Sequence, residues 1–311
     1  MTAEHGRAGV TAQAAEGGRR AAVLGSPIDH SLSPVLHRAA YAALGLDWRY
    51  DAIECDSARL AVLLDELDDS FVGLSLTMPL KRAVVPLLDE VSPLAAAVGA
   101  VNTVTFEGVG LSRRRLGDNT DVGGLVAAIS TARTTKSPSN AVAPIERVAI
   151  LGAGGTAAAA LGAVREMGVS QVSVVVREPA RASELVAAAE RIGIAVELVA
   201  WPGCGALRAA ELVISTVPAG ATDTLVGTAA SEAGPWVARP DQLIVDVVYH
   251  PWPTPLAVAA GASGARVVGG LELLVRQAAL QVERWTGRPG PVDDMRLAGE
   301  RALADRASPP R

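Results

Sequence analysis

The sequence predicts an α/β protein of two domains with mostly parallel sheets. Three observations carry that expectation. From Ala21 onward, short β-branched runs alternate with helix-length stretches, the pattern of βαβ units. Near the middle of the 311 residues, the Ser/Thr/Pro-rich segment 131–144 (TARTTKSPSNAVAP) reads as a linker. A chain of this length commonly divides into domains of roughly 150 residues. The half after the linker then opens on ERVAILGAGGTAAAALGAV, a strand, a glycine turn and an Ala-rich helix, the start of a Rossmann-type unit.

Residues 1–20, rich in Ala and Gly and without period, predict a flexible extension. The strand-like runs are 21–24, 48–53, 72–76, 147–151, 172–176, 212–215, 243–247 and 266–268. Helical stretches lie between them at 35–44, 59–67, 156–167 and 180–192. Gly45, Gly168 and Gly193 stand just past helices, where a left-handed residue ends the last turn. Near the C-terminus, Leu271, Leu274, Val275, Ala278, Val282 and Trp285 form one apolar stripe at helical spacing, and a last helix is expected near 293–304.

Composition excludes several classes of function. Half the residues are apolar and 20% are charged, enough for a buried core, and with only 3% aromatics Ala, Val and Leu must fill it. The net charge of −5, with no basic block, argues against nucleic acid as a partner. Residues 1–20 carry Glu4, Arg7, Glu16, Arg19 and Arg20 and no apolar segment of an export signal. The uncharged run 148–164 holds four glycines and is too short and too poor in large apolar groups for a membrane span. Two cysteines, Cys55 and Cys204, make neither a disulfide framework nor a zinc cluster, which fits a reducing cytoplasm and no metal.

The glycine turn points to a dinucleotide. Gly152, Gly154 and Ala157 follow the form G-x-G-x-x-G/A. The first permits the tight turn, the second lets the backbone approach a pyrophosphate, and the third keeps the helix close to its strand. The helix N-terminus offers unpaired N–H groups to the phosphates. An NAD site usually places an acid at the end of the next strand, about 20 residues past the glycines. This chain reads VVVREPAR there, and Arg177 and Arg181 suit the 2′-phosphate of NADP, with Glu178 between them able to accept from a 2′-hydroxyl instead.

Polar residues of the first half form a second set. In GSPIDHSLSP, Ser31 and Ser33 lie two apart on a segment expected to be extended, and Ser33 before Pro34 also suits a helix N-cap. The two readings are compatible, because a helix start with two hydroxyls makes a carboxylate site. In SLTMPLK, Lys81 falls in the first turn of a helix expected to begin at Pro79, where a cation opposes the macrodipole. It reads as a solvated surface lysine or as a residue kept for chemistry. GAVNTV and GDNTDVGGL add Asn102, Thr103, Asn119, Thr120 and Asp121, and Asn-Thr pairs at strand ends also serve as turn and cap residues.

Taken together, GSPIDHSLSP, SLTMPLK, GAVNT, GDNTD, LGAGGTA, DVVYHPWPTPL and GGLELLVRQA, in this order and spacing, resemble the shikimate dehydrogenase family over about residues 21–290. SLTMPLK and YHPWPTPL look most like its actinobacterial members. The resemblance implies a substrate-binding domain of residues 21–120 plus 275–311, an NADP-binding Rossmann-type domain of 121–274, and C-terminal helices returning to the first. It implies that Ser31, Ser33 and Tyr249 hold a substrate carboxylate, and that Ser75, Thr77, Lys81, Asn102, Asp121 and Gln277 contact ring hydroxyls. Lys81 and Asp121 would be the catalytic pair, while Gly152, Ala153, Gly154, Gly155, Thr156, Ala157, Arg177, Arg181, Thr216 and Gly270 would bind the cofactor. Two departures stand out. Ser75 occupies a position where the family often has Asn, and Val176, Arg177 and Glu178 replace an Asn-Arg-Thr/Ser run.

The activity implied is reversible reduction of 3-dehydroshikimate to shikimate by NADPH, in aromatic amino acid biosynthesis, by a cytoplasmic monomer or homodimer. An ammonium near the reacting oxygen stabilises its developing charge and donates the proton. Two other readings share the scaffold: a quinate/shikimate dehydrogenase preferring NAD, and a non-catalytic sensor of dinucleotide or shikimate.

Overall fold

The computed structural model describes residues 18–134, 144–226 and 236–307. Most of the expected extension, 1–17, and the centre of the expected linker, 135–143, lie outside them. The first half runs β1 (Arg20–Gly25), α1 (Ser33–Ala43), β2 (Arg49–Glu54), α2 (Leu60–Glu66), β3 (Phe71–Leu76), α3 (Leu80–Ala83), β4 (Glu90–Val91), α4 (Pro93–Val98), β5 (Thr103–Glu107), β6 (Arg114–Asp118) and α5 (Thr120–Thr134). The second runs β7 (Val148–Leu151), α6 (Gly155–Glu166), β8 (Gln171–Val176), α7 (Ser183–Ile192), β9 (Ala195–Ala200), α8 (Cys204–Ala209), β10 (Leu212–Ser215), α9 (Asp223–Val226), β11 (Leu243–Asp246), α10 (Pro255–Ala262), β12 (Arg266–Gly269), α11 (Gly270–Thr286) and α12 (Val292–Ala307).

The strands form two six-stranded sheets, with orders β2-β1-β3-β5-β6-β4 and β12-β11-β10-β7-β8-β9. Counted within its own half, the second is the 3-2-1-4-5-6 order of a Rossmann sheet, and all of its pairs are parallel. The first departs from the expected parallel sheet. Its β3–β5 and β5–β6 pairs are antiparallel, so it is mixed. The hairpin that makes it so turns through Gly108 and Gly110, both at positive φ where other residues are strained.

Alternation along the strands decides what packs where. In β1, Ala21 and Val23 face a core shared with α1 and α11, whereas Ala22 and Leu24 face one shared with α2 and β3. Few aromatics exist, and Tyr41, Tyr50 and Trp285 gather in the first of these cores. Trp285 lies over Gly73 of β3, where an added Cβ would sit 2.1 Å from the indole nitrogen. In β7, Val148 and Ile150 face α6, whose Ala157, Ala158, Ala159 and Ala160 are wholly buried. Ala149 and Leu151 face the opposite core.

The expected linker needs correction at its start. Residues 131–134 are the last turn of α5, which packs along α11 and against α6. Gly123 and Gly124 weaken α5 as an isolated helix, but a Cβ on Gly124 would lie 2.9 Å from the backbone nitrogen of Gln277. The close crossing of α5 and α11 therefore requires glycine. Asp121 in the first turn and Arg133 in the last complement the helix dipole. The three expected helix-ending glycines all adopt positive φ, at 66° for Gly45, 86° for Gly168 and 74° for Gly193.

Candidate active site

The site is built where β3 and β5 of the first sheet meet the start of α5. The chain leaves β3 through Ser75 and Thr77 into the single turn of α3, which carries Lys81. Asn102 stands just before β5, and Asp121 in the first turn of α5. Lys81 Nζ donates to Asp121 Oδ2 at 2.5 Å, and Asn102 Nδ2 donates to Asp121 Oδ1 at 2.8 Å. Both carboxylate oxygens thus face donors. The backbone N–H of Asp121 in turn donates to Asn119 Oδ1 at 3.1 Å.

The Asn102 amide has only one workable orientation. Its Oδ1 accepts from the Thr120 backbone N–H and from Thr103 Oγ1, each at 2.8 Å. A backbone N–H can only donate, so the amide nitrogen must face Asp121. Lys81 has a different local setting from the one expected. α3 is four residues long, so no sustained macrodipole exists for the cation to oppose. Its placement answers to Asp121, 40 residues away in sequence.

All nine expected catalytic and substrate-binding residues line one cavity of about 190 Å³. Lys81 and Asp121 stand in it beside Ser75, Thr77, Asn102 and Gln277, and Ser31, Ser33 and Tyr249 complete its wall. The serine pair differs in detail from the expectation. Leu32 is the N-cap and is helical in φ and ψ, so the segment is not extended, and Ser33 is the first residue of α1. Ser31 Oγ accepts from the Ser33 N–H at 3.3 Å, which satisfies one of the open donors at the start of α1, and neither serine is the N-cap. Burial raises the Tyr249 phenol above its usual range, partly offset by Arg306, so the group stays protonated and able to donate.

Gln281 lines the same cavity and was not anticipated. It lies four residues after Gln277, one turn along α11, and both side chains are buried. Two glutamines at that spacing on an otherwise apolar helix face are the signal that could have revealed it.

A second cavity, of about 330 Å³, opens over the glycine turn. Gly152, Ala153, Arg177 and Arg181 line it together with Trp201 and Val217. Gly154, Gly155, Thr156, Ala157, Thr216 and Gly270 are not in its wall. The turn fits a dinucleotide. Gly152 has φ of 105°, and a Cβ there would lie 2.7 Å from Thr216 Oγ1, while Thr216 donates to Leu151 O at 2.7 Å and pins the turn. A Cβ built on Gly154 or Gly155 meets nothing within 4 Å, so the N-terminus of α6 has open space for phosphates. Ala157 is fully buried against the sheet core, and Thr156 sits in the first turn of α6. At Gly270 a Cβ would lie 2.0 Å from Val247 O, so only glycine permits α11 to start there.

The two arginines are held differently. Arg177 Nη2 donates to Ala221 O at 3.0 Å, and its guanidinium lies 5.2 Å from the Trp201 ring centre. Arg181 Nε pairs with Glu178 at 2.7 Å, both largely exposed. Among the described residues, no group of three or more His, Cys, Asp or Glu could hold a metal, and no helix is long and apolar enough to cross a membrane.

Known proteins resemble this chain in sequence and in fold. Residues 23–104 match the shikimate dehydrogenase substrate-binding domain, residues 270–297 the shikimate 5′-dehydrogenase C-terminal domain, and residues 147–249 the family described as NADP oxidoreductase, coenzyme F420-dependent. The shikimate dehydrogenase (NADP(+)) of Moorella thermoacetica is 37% identical over 276 residues, covering 87% of this chain and 89% of that protein. The crystal structure of Mycobacterium tuberculosis shikimate dehydrogenase superposes with a TM-score of 0.76 at 38% identity, covering 91% of this chain and 99% of that one. That of the Thermus thermophilus shikimate 5-dehydrogenase, in complex with NADP(H) and shikimate, does so with 0.73 at 36%, covering 92% and 100%. Similarity at this level along nearly the whole chain places the protein in the shikimate dehydrogenase family.

Proposed function

We propose that the protein catalyses reversible, NADPH-dependent reduction of 3-dehydroshikimate to shikimate, serving aromatic amino acid biosynthesis in the cytoplasm as a monomer or homodimer. The observation that carries this reading is the Lys81–Asp121 ion pair in one cavity with further hydroxyl and amide side chains that suit a hydroxylated ring carboxylate. In this reading residues 21–120 with 275–311 bind the substrate and 121–274 bind NADP. The motifs SLTMPLK and YHPWPTPL support a likeness to the actinobacterial members.

NADPH, when bound, supplies the hydride. Ser31, Ser33 and Tyr249 offer hydroxyls to the substrate carboxylate, and Ser75, Thr77, Asn102 and Gln277 position the ring. As the ketone becomes an alcohol, negative charge grows on its oxygen. Lys81 Nζ stabilises that charge and hands over a proton, while Asp121 holds the ammonium in place. Asn102 fixes Asp121 in turn. For the cofactor, Gly152, Ala153, Gly154, Gly155, Thr156 and Ala157 would cradle the pyrophosphate, Thr216 braces the turn, Gly270 would flank the nicotinamide, and Arg177 and Arg181 would take the 2′-phosphate.

Purified protein assayed with shikimate and quinate, each against NADP and NAD, tests the reading. The expected result is highest kcat/KM with shikimate and NADP, and no turnover of either substrate overturns it. The Glu178–Arg181 pair favours one competing reading, an NAD-preferring quinate/shikimate dehydrogenase, because it sets a carboxylate beside the site assigned to the 2′-phosphate. The same assay separates the two. Loss of one charge-assisted hydrogen bond costs about 1.5–3 kcal/mol, so Arg177→Ala raises the NADP KM roughly 10- to 150-fold and leaves the NAD KM nearly unchanged. Equal kcat/KM for the two cofactors in the wild type contradicts the NADP assignment.

A further inference from the structure

Beneath the substrate cavity runs a buried chain of hydrogen bonds that the mechanism above does not use. Tyr50 on β2 is wholly buried, and its OH donates to Ser75 Oγ at 2.6 Å. Ser75 Oγ donates to Gln281 Oε1 at 2.8 Å. Gln281 Nε2 donates to Thr103 Oγ1 at 2.9 Å and to the backbone oxygen of Asn102 at 3.3 Å.

The polarity of this chain follows from its last link. A backbone carbonyl only accepts, so the Gln281 amide must turn its nitrogen to Asn102 and its oxygen to Ser75. An amide oxygen also only accepts, so the single hydrogen of the Ser75 hydroxyl is engaged there. Tyr50 must then be the donor to Ser75. Burial raises the Tyr50 phenol well above its usual range, which keeps that proton in place. One lone pair of Ser75 Oγ remains for the cavity, and no hydrogen.

We infer that Gln281, which takes the Ser75 hydrogen, and Tyr50, whose donated bond fixes the remaining lone pair toward the cavity, are positioning residues that present Ser75 as an aimed acceptor, so that this subsite selects a ring hydroxyl able to donate. The inference rests on the proposed function, and it names a determinant of substrate choice that acts through Ser75. A ring substituent that only accepts, such as fluorine, meets the Ser75 lone pair with nothing to share. Ser75 is thereby a narrower reader than a side-chain amide, which would offer both a donor and an acceptor at the same place.

The test uses shikimate and two analogues in which each non-reacting ring hydroxyl is replaced in turn by fluorine. These are assayed with the wild type, Tyr50→Phe, Ser75→Ala and the double variant. The wild type should prefer hydroxyl over fluorine at one of the two positions. Without the Tyr50 donor, Ser75 Oγ keeps its hydrogen on Gln281 but loses the contact that aims its free lone pair at the cavity. Tyr50→Phe should therefore raise the shikimate KM and lower that preference by roughly 2- to 13-fold, the usual reflection of a neutral hydrogen bond, with kcat retained. Ser75→Ala should remove the Ser75 share of the preference, and adding Tyr50→Phe to it should change nothing further. Unchanged preference in Tyr50→Phe, or additive effects in the double variant, overturns the inference while leaving shikimate turnover intact. If Tyr50→Phe fails to fold, retention of the full preference by Ser75→Ala overturns it instead. No turnover of shikimate by the wild type overturns the proposed function and this inference with it.

Discussion

Lys81→Ala lowers kcat by about 10²- to 10⁴-fold and shifts the shikimate KM only a few-fold. The expectation comes from geometry. Lys81 Nζ is 2.5 Å from Asp121 Oδ2 at the wall of the substrate cavity, and both side chains are mostly shielded from solvent. An ammonium so held is in place before charge develops on the substrate oxygen, and its interaction strengthens as that charge grows. An interaction of this kind lowers kcat and kcat/KM together when it is removed. Lys81→Arg should not restore the rate, because guanidinium differs in shape and does not release a proton near neutral pH. Asp121→Asn should also be slow. The double variant should be far from additive, since Lys81 and Asp121 touch and act as one unit. Steady-state kinetics decide the matter. If Lys81→Ala keeps kcat and raises KM, the lysine is an anchor and the proton comes from another group.

Acid should destabilise the protein through His37. The ring is fully buried, stacked on Tyr50 with centroids 4.0 Å apart, and Nδ1 is 2.9 Å from Ser33 O. That carbonyl only accepts, so the neutral ring carries its hydrogen on Nδ1. Nε2 has no hydrogen-bond partner among the described residues. Protonation would place a charge in the core. Burial accordingly lowers the His37 pKa to about 4, with the Ser33 carbonyl and the Gln281 side chain opposing in part. In the unfolded chain the imidazole takes up a proton below about pH 6.5, whereas the folded protein resists it until about pH 4. Stability is therefore full above the unfolded value and falls as pH drops through this window, by about 3 kcal/mol from this group at roughly pH 4. Urea unfolding of the wild type and His37→Phe at about pH 7.5 and about pH 4.5 measures it, and the wild type should lose more stability on acidification by about 2–3 kcal/mol. An equal loss in the two proteins would show that His37 does not set the acid limit.

The parts legible in the sequence were those whose cause is local. The turn after β7 demands glycine at position 152, and the runs around it are a strand and a helix by composition, so the Rossmann unit could be read before any packing was known. The same holds for Gly45, Gly168 and Gly193, and for the apolar stripe of α11. The nine candidates that share the substrate cavity were singled out by their motifs, although Lys81 and Ser33 by themselves also read as a surface lysine and a helix cap. Four strands and most of α5 were not legible. β9 is an edge strand exposed along most of its length, β6 begins with two arginines, and α5 carries paired glycines at its start. Local propensity disfavours each of them, and each exists because a neighbour supplies the stabilisation. β6 gains β5 and β4 as partners, and the glycines of α5 admit α11 at close range. The polarity of the site belongs to the same category. Lys81 meets Asp121 across 40 residues, and Ser75 meets Gln281 across 206, so whether each group donates or accepts is set by contacts that no stretch of chain contains. A hydrogen bond has a direction, and only the folded structure supplies the carbonyl of Asn102 and the N–H of Thr120 from which those directions propagate.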